Sequence, residues 1–267
     1  MRNNGRIAAP PSLARDNALF LDIDGTLADL VDDPAAVRID DQLVSLLPAL
    51  SARLGGALAL VTGRSIRDVD RLLPGPKLPV AGQHGSERRS AGGAIHLHSS
   101  STTALARLRE LLSGLAARHP ALRLDDKGLT IALHYRRAPA LASYLHRTLR
   151  RSLADADGFV MQSGKMLVEV RPDARDKGSA IRDFMNEPPF AGRLPVFVGD
   201  DRTDEHGFAF VTAQGGLSIK VGPGRTCARF RLRDVAAVRR WLAADLPAQG
   251  VGPRRTDVPP RARSTSR

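Results

Sequence analysis

From Ala18 onward, short apolar runs rich in strand-forming residues alternate with stretches of helical periodicity, a grammar that calls for a parallel sheet covered by helices. The candidate strands are residues 18–23, 57–61, 79–81, 195–198 and 217–221. Between them, 41–54 and 65–73 carry apolar residues at helical spacing and begin at Asp41 and Ser65, both residue types that cap helix N-termini. A last helix is expected over 234–242, where Val235, Val238, Trp241 and Leu242 share one face.

Between 99 and 172 the pattern changes to paired strands separated by turn residues, which implies an inserted α+β module. Residues 123–136 read as a hairpin turning near Asp126-Lys127-Gly128. In its second strand Leu129, Ile131, Leu133 and Tyr135 fall on one face, with Thr130, Ala132, His134 and Arg136 on the other. A second hairpin, 159–161 and 166–171, flanks Ser163-Gly164. Lys165, Leu167, Glu169 and Arg171 then project together, opposite Met166, Val168 and Val170. The expected organisation is a flexible lead-in over 1–17, a core over 18–98 and 173–247 interrupted by the inserted module at 99–172, and a disordered basic tail over 248–267.

Of 267 residues, 42% are hydrophobic and 25% charged, as in a soluble globular protein, but aromatics at 4% leave most core packing to aliphatic side chains and alanine. The single cysteine, Cys227, rules out an internal disulfide and any multi-cysteine zinc site, which fits a cytoplasmic protein. No apolar run reaches the roughly 18 residues of a membrane span, and the first 17 residues lack the apolar stretch of a secretory signal. The net charge of +12 suits nucleic acid or a small anionic substrate. Arginines are scattered and enriched at the two ends, with no basic stripe interleaved with aromatics, so nucleic acid is the disfavoured partner. A monomer is expected.

Residues 19–27 read LFLDIDGTL, an apolar strand running into two carboxylates spaced by one residue. Residues i and i+2 of a strand point to the same side, so Asp22 and Asp24 converge at the C-terminal edge of a parallel sheet, where open α/β folds place ligands. Two such acids repel unless a cation lies between them, and a hard divalent ion such as Mg²⁺ meets that need. Read alone, most segments of this kind are merely turns following a strand. Three more segments share its design. Residues 57–64, ALALVTGR, end a strand in the Thr62 hydroxyl beside the amides of Gly63 and Arg64, groups suited to phosphoryl oxygens. Residues 175–180, RDKGSA, set Lys177 at a helix start, and 196–205, VFVGDDRTDE, end a strand in Asp200 and Asp201 with Asp204 one turn on.

These four segments resemble the four motifs of the haloacid dehalogenase (HAD) superfamily of phosphohydrolases, Asp-x-Asp-x-Thr, Thr/Ser, Lys and Gly-Asp-Asp-x-x-Asp. The resemblance implies a Rossmann-like α/β core with an inserted α+β cap. It makes Asp22 the nucleophile that forms an aspartyl-phosphate and Asp24 the acid and base. It also gives Mg²⁺ to Asp22, the backbone carbonyl of Asp24, and Asp200. Thr62 and Lys177 would bind the transferring group, Asp201 and Asp204 would orient Lys177 or a water on the metal, and Thr26, Gly63 and Arg64 would line the phosphoryl site.

Smaller signals, AGQHGSE at 81–87, ALHYR at 132–136, GKMLVEVRP at 164–172 and SIKVGPGRT after the acidic motif, resemble the trehalose-6-phosphate phosphatases within that superfamily. That likeness implies a disaccharide phosphate held by Lys165 and Glu169, with His134 and Arg136 beside them and His84-Gly85 at the junction of core and cap. Sucrose 6-phosphate, a mannosyl-phosphoglycerate or a hexose phosphate remain alternative substrates. A binding or scaffold protein working through its basic termini is the alternative of another class.

Overall fold

The structure, a computed structural model, describes residues 8–31, 36–98, 102–164, 166–244 and 246. Lys165 and the expected basic tail at 248–267 lie outside the described residues.

The first apolar run forms β1 (Asn17–Leu21) and the second β2 (Leu58–Val61), and every residue of both is buried. Unbroken burial is what a strand covered on both faces requires, and it explains why neither run alternates. In the main sheet β12 (Phe230–Leu232), β11 (Leu217–Val221), β10 (Leu194–Gly199), β1, β2 and β3 (Val80–Gly82) lie side by side in that order, all parallel. The antiparallel pair β4 (Glu87–Arg89) and β5 (Ile95–Leu97) extends the β3 edge. The apolar pattern does not single out β4, β5 or β12, because each is only three residues long and β4 reads Glu-Arg-Arg.

The helices follow their caps. Helix α1 (Asp41–Arg53) occupies the expected segment, but its cap is Asp40 and not Asp41, for it is Asp40 that accepts from the Leu43 amide at 2.9 Å. Its Leu43, Leu46, Leu47 and Leu50 form the buried stripe. Ser65 caps α2 (Ile66–Leu72), and Asp234 caps α7 (Val235–Ala243), which buries Val235, Val238 and Leu242. Asp176 and Ser179 form a reciprocal capping box on α5 (Lys177–Met185). Helix α6 (Glu205–Ala213) follows the acidic motif. Under the sheet Phe20, Phe184 and Phe190 cluster with ring centroids 5.1–6.0 Å apart.

Residues 102–172 form the cap, with α3 (Thr102–Arg118), β6 (Arg123–Asp126), β7 (Ile131–His134), α4 (Ala142–Leu153), β8 (Phe159–Gly164) and β9 (Leu167–Pro172). Its antiparallel sheet has the order β6-β7-β9-β8. Ile131, Leu133, Val168 and Val170 face a separate apolar cluster with Leu108, Leu112, Leu145 and Leu149. Alternation then turns Ala132, His134, Leu167 and Glu169 to the opposite face. The second hairpin differs from expectation. Ser163 and Gly164 pair with Val168 and Leu167 instead of turning, so β8 is longer and β9 begins at Leu167, beyond Lys165.

The lead-in expected to be flexible is tied down over its described part. Ala8 bridges to Phe230, Leu13 is buried, and the Pro11 carbonyl accepts from the Trp241 indole at 2.9 Å.

Candidate active site

The β1 strand ends at Leu21, and the next residue, Asp22, is buried at 5% exposure. Its carboxylate Oδ1 lies 3.0 Å from Lys177 Nζ, and the same ammonium donates to Asp204 Oδ1 at 2.6 Å. Lys177 is placed there because it opens α5 directly after the Asp176 cap. Burial opposes its charge, but the carboxylates of Asp204, Asp22 and Asp201 outweigh that and push its pKa up. Lys177 is a fixed cation.

Asp204 is completely buried and uses its second oxygen, Oδ2, to accept from the amides of Asp200 and Asp201 at 2.8 and 2.9 Å. It therefore fixes the loop that presents Asp200. A Cβ on Gly199 would stand 2.3 Å from the Asp204 carboxyl carbon, so only glycine admits this contact. Asp201, which also lines the cleft, caps the turn through Thr203, whose amide and hydroxyl donate to it at 2.6 and 2.7 Å.

Oxygens of Asp22, Asp200 and Asp204 all lie within 4.8 Å of one another. Burial raises the Asp22 pKa well above the usual carboxylate range, against the pull of Lys177, and its acidic neighbours add to the rise. Asp200 is pushed up to about 7 by burial, then by Asp204 and Asp201. Such crowding is relieved by a hard divalent cation, so the donor set fits a metal. Both Asp204 oxygens are already engaged, which leaves Asp22 and Asp200 as the carboxylates free to turn to an ion. At Gly25, with φ +79°, an added Cβ would lie 2.1 Å from Asp200 Oδ2, so this glycine lets the Asp200 carboxylate press against the β1 turn.

Thr62 follows β2, is buried, and its hydroxyl accepts from the Arg64 amide at 3.2 Å. Arg64 does more than lend its amide. Its Nε and NH2 clasp both oxygens of Asp24 at 2.7 and 2.6 Å, a bidentate pair across 40 residues of sequence.

Above this floor, core and cap enclose a cleft of about 280 Å³ lined by Asp24, Gly63, Arg64, His84, His134 and Glu169 among others. Glu169 is 3% exposed, and His84 Nε2 lies 3.2 Å from its Oε2. Lys127, read in the sequence only as part of a turn, donates to Glu169 Oε1 at 2.9 Å and to the Gly63 carbonyl at 3.0 Å. Burial alone would raise the Glu169 pKa; Lys127 and His84 hold it well below the usual range. Asp125, also on the cleft wall, lies 4.0 Å from His134 Nε2, and its pKa is lowered chiefly by that neighbouring imidazole, against the opposing effect of burial. Asp125, Lys127, Gln83 and Thr130 are functional candidates that pattern reading passes over.

Three expected substrate contacts are displaced. Arg136 is exposed and not on the cleft wall, because β7 ends at His134 and strand alternation no longer governs it. Gly85, φ +96°, packs on α5, where an added Cβ would meet Ala180 Cβ at 3.0 Å. Thr26 is fully buried within the turn after β1 and does not line the cleft. Lys165 lies outside the described residues.

A parallel α/β core with a carboxylate–lysine–carboxylate floor and an inserted cap defines a phosphoric monoester hydrolase of the HAD superfamily. The family model for trehalose-phosphatase matches residues 20–235. The chain is 40% identical over 232 residues to the trehalose-6-phosphate phosphatase of Escherichia coli K12, covering 87% of each chain. It is 44% identical over 207 residues to a probable trehalose-phosphate phosphatase of Sinorhizobium fredii, covering 77% of this chain and 78% of that one. A crystal structure of a trehalose-6-phosphate phosphatase related protein superposes with a TM-score of 0.73 at 30% identity, over 85% of this chain and 95% of that one. The chain belongs to the trehalose-phosphatase family.

Proposed function

We propose that this chain hydrolyses trehalose 6-phosphate to trehalose and inorganic phosphate, with Asp22 as nucleophile, Asp24 as proton carrier and Mg²⁺ as cofactor. The observation that carries the reading is the buried Asp22–Lys177–Asp204 array beneath a cleft roofed by Glu169 and Lys127.

An Asp22 oxygen attacks phosphorus, the bond from phosphorus to the sugar oxygen breaks, and Asp24 delivers a proton to that oxygen. Water then attacks the aspartyl-phosphate, gives its proton to Asp24, and the Asp22 carboxylate is regenerated. Lys177 is aimed at Asp22 and offsets negative charge on the phosphoryl group, with the Thr62 hydroxyl and the Gly63 amide as further donors. Asp22, Asp200 and the Asp24 carbonyl would hold Mg²⁺, which supplies charge neutralisation and orients the phosphoryl oxygens. Arg64 holds both Asp24 oxygens, so its clasp loosens as one of them turns to the leaving oxygen. Substrate entry into the cleft that Arg64 lines is the natural occasion.

The cap face supports a sugar. Glu169, Lys127, Asp125 and His134 offer donors and acceptors in alternation, which suits hydroxyl recognition better than an apolar wall would. No helix among the described residues is long and apolar enough to cross a membrane. A monomer in the cytoplasm is the setting this reading expects.

A panel of sugar phosphates assayed with Mg²⁺ tests it. The expected outcome is the highest kcat/KM on trehalose 6-phosphate. A higher value on sucrose 6-phosphate, a mannosyl-phosphoglycerate or a hexose phosphate would replace the substrate and keep the chemistry.

A further inference from the structure

Two consecutive non-glycine residues, Gln83 and His84, have left-handed backbones, with φ +47° and +56°. Side chains rarely adopt that conformation, and where it occurs the surroundings must compensate. Here the compensation is a set of bonds to the phosphate-binding turn. The Gln83 amide donates to the Arg64 carbonyl at 2.9 Å and the His84 amide to the Thr62 carbonyl at 3.0 Å. The carbonyl between them, on Gly63, takes Lys127 of the cap at 3.0 Å. Three successive carbonyls of this turn are thus engaged by the 83–84 segment and by the cap.

The side chain of Gln83 continues the connection. It is 2% exposed, and its Oε1 accepts from both the amide and the hydroxyl of Thr130 in the cap, at 2.9 and 3.1 Å. Its Nε2 donates to Glu87 Oε1 at 2.9 Å, and that same oxygen accepts from the amide of Ile66, the first residue of α2, at 2.8 Å. The Thr130 hydroxyl also lies 3.3 Å from Glu169 Oε1. With one hydrogen to give, it can donate to Gln83 or to Glu169, but not fully to both. A sugar hydroxyl engaging Glu169 would therefore be felt at Gln83.

We propose that Gln83 is a positioning residue that locks the sugar-facing edge of the cap to the phosphate-binding turn, so that a correctly held sugar sets the geometry in which the phosphoryl group is bound. The inference rests on the phosphatase reading above, and it concerns coupling between two parts of the substrate site, not contact with substrate. A phosphate ester without a sugar cannot use that coupling and should be indifferent to its loss.

The test compares Gln83→Leu, Thr130→Val and the double variant on trehalose 6-phosphate and on p-nitrophenyl phosphate. Gln83→Leu should lower kcat/KM for the sugar phosphate by about tenfold or more, the worth of one to two hydrogen bonds, and that for p-nitrophenyl phosphate by less than about threefold. The double variant should be little worse than Gln83→Leu alone, since the Thr130 hydroxyl has by then already lost its bond to Gln83. Equal losses on the two esters, or multiplicative losses in the double variant, would overturn the proposal and leave Gln83 a packing residue. If Gln83→Leu does not fold, Thr130→Val carries the same comparison of esters, with selective loss supporting the coupling and equal or no loss refuting it. Should the sugar panel select another sugar phosphate, that ester replaces trehalose 6-phosphate, so failure of the substrate assignment is read separately from failure of the coupling.

Discussion

The floor and the roof of the cleft solve the burial of charge in opposite ways. On the floor, Lys177 stands between Asp22 and Asp204, all three held within the core by β1, α5 and the loop after β10. On the roof, Glu169 of the cap pairs with Lys127 of the same unit and lies 3.2 Å from His84 Nε2 across the junction. The floor is complete without the cap, whereas the roof also reaches into the core, through His84 beside Glu169 and the Gly63 carbonyl beneath Lys127. A reaction centre that must attack any bound phosphoryl group can be built rigidly, but recognition of a sugar is needed only when the cap is seated.

Removing one partner separates the two designs. Lys177→Met leaves Asp22 and Asp204 buried without their cation, and truncating one side of a buried pair costs about 3–5 kcal/mol. Urea unfolding should show that loss, and activity should fall on every phosphate ester. An unchanged midpoint would mean that the floor charges are not as buried as described. Glu169→Gln should act on the roof alone. It keeps an acceptor for His84 but removes the charge facing Lys127, and kcat/KM for the sugar phosphate should drop about tenfold while p-nitrophenyl phosphate hydrolysis stays within about twofold. A uniform drop would erase the distinction between floor and roof.

The floor was legible in the sequence because its chemistry lies at strand ends and helix starts, where spacing dictates direction. Asp22 and Asp24 follow β1, Thr62 follows β2, Asp200 follows β10, and Lys177 opens α5. The roof was legible only where a strand persists. His134 and Glu169 reach the cleft by simple alternation, while Arg136 misses it because β7 has already ended. Ser163-Gly164 carries a turn signal, yet cross-strand pairing extends β8 through it. The Arg64–Asp24 clasp, the Lys127 bridge and the Gln83–Thr130 bonds join residues 40 or more apart in sequence, and no local pattern encodes such meetings.

The smallest expected effect concerns the proposed metal on the floor. Asp200 has its pKa raised to about 7. A carboxyl with a raised folded-state pKa favours folding while protonated, fully so below its unfolded value of about 3.9, and that contribution fades as pH rises through about 7. Above that pH a cation held by Asp200 would supply the positive charge that the proton no longer does. The rise in Tm on adding Mg²⁺ should therefore be larger at pH 8 than at pH 6. An equal rise at both would place the ion away from Asp200.

The central claim is that Asp22 carries the phosphoryl group while Asp24 moves protons. Asp22→Asn and Asp24→Asn should each abolish turnover of the sugar phosphate, but only Asp24→Asn should still react with p-nitrophenyl phosphate, whose leaving group needs no proton. Rapid mixing of Asp24→Asn with that ester should release close to one nitrophenolate per enzyme in a burst, and acid-quenched peptides should bear the phosphoryl mass on Asp22. A linear time course with the phosphoryl group on another residue, or near-wild-type turnover of the sugar phosphate by Asp22→Asn, would contradict the account.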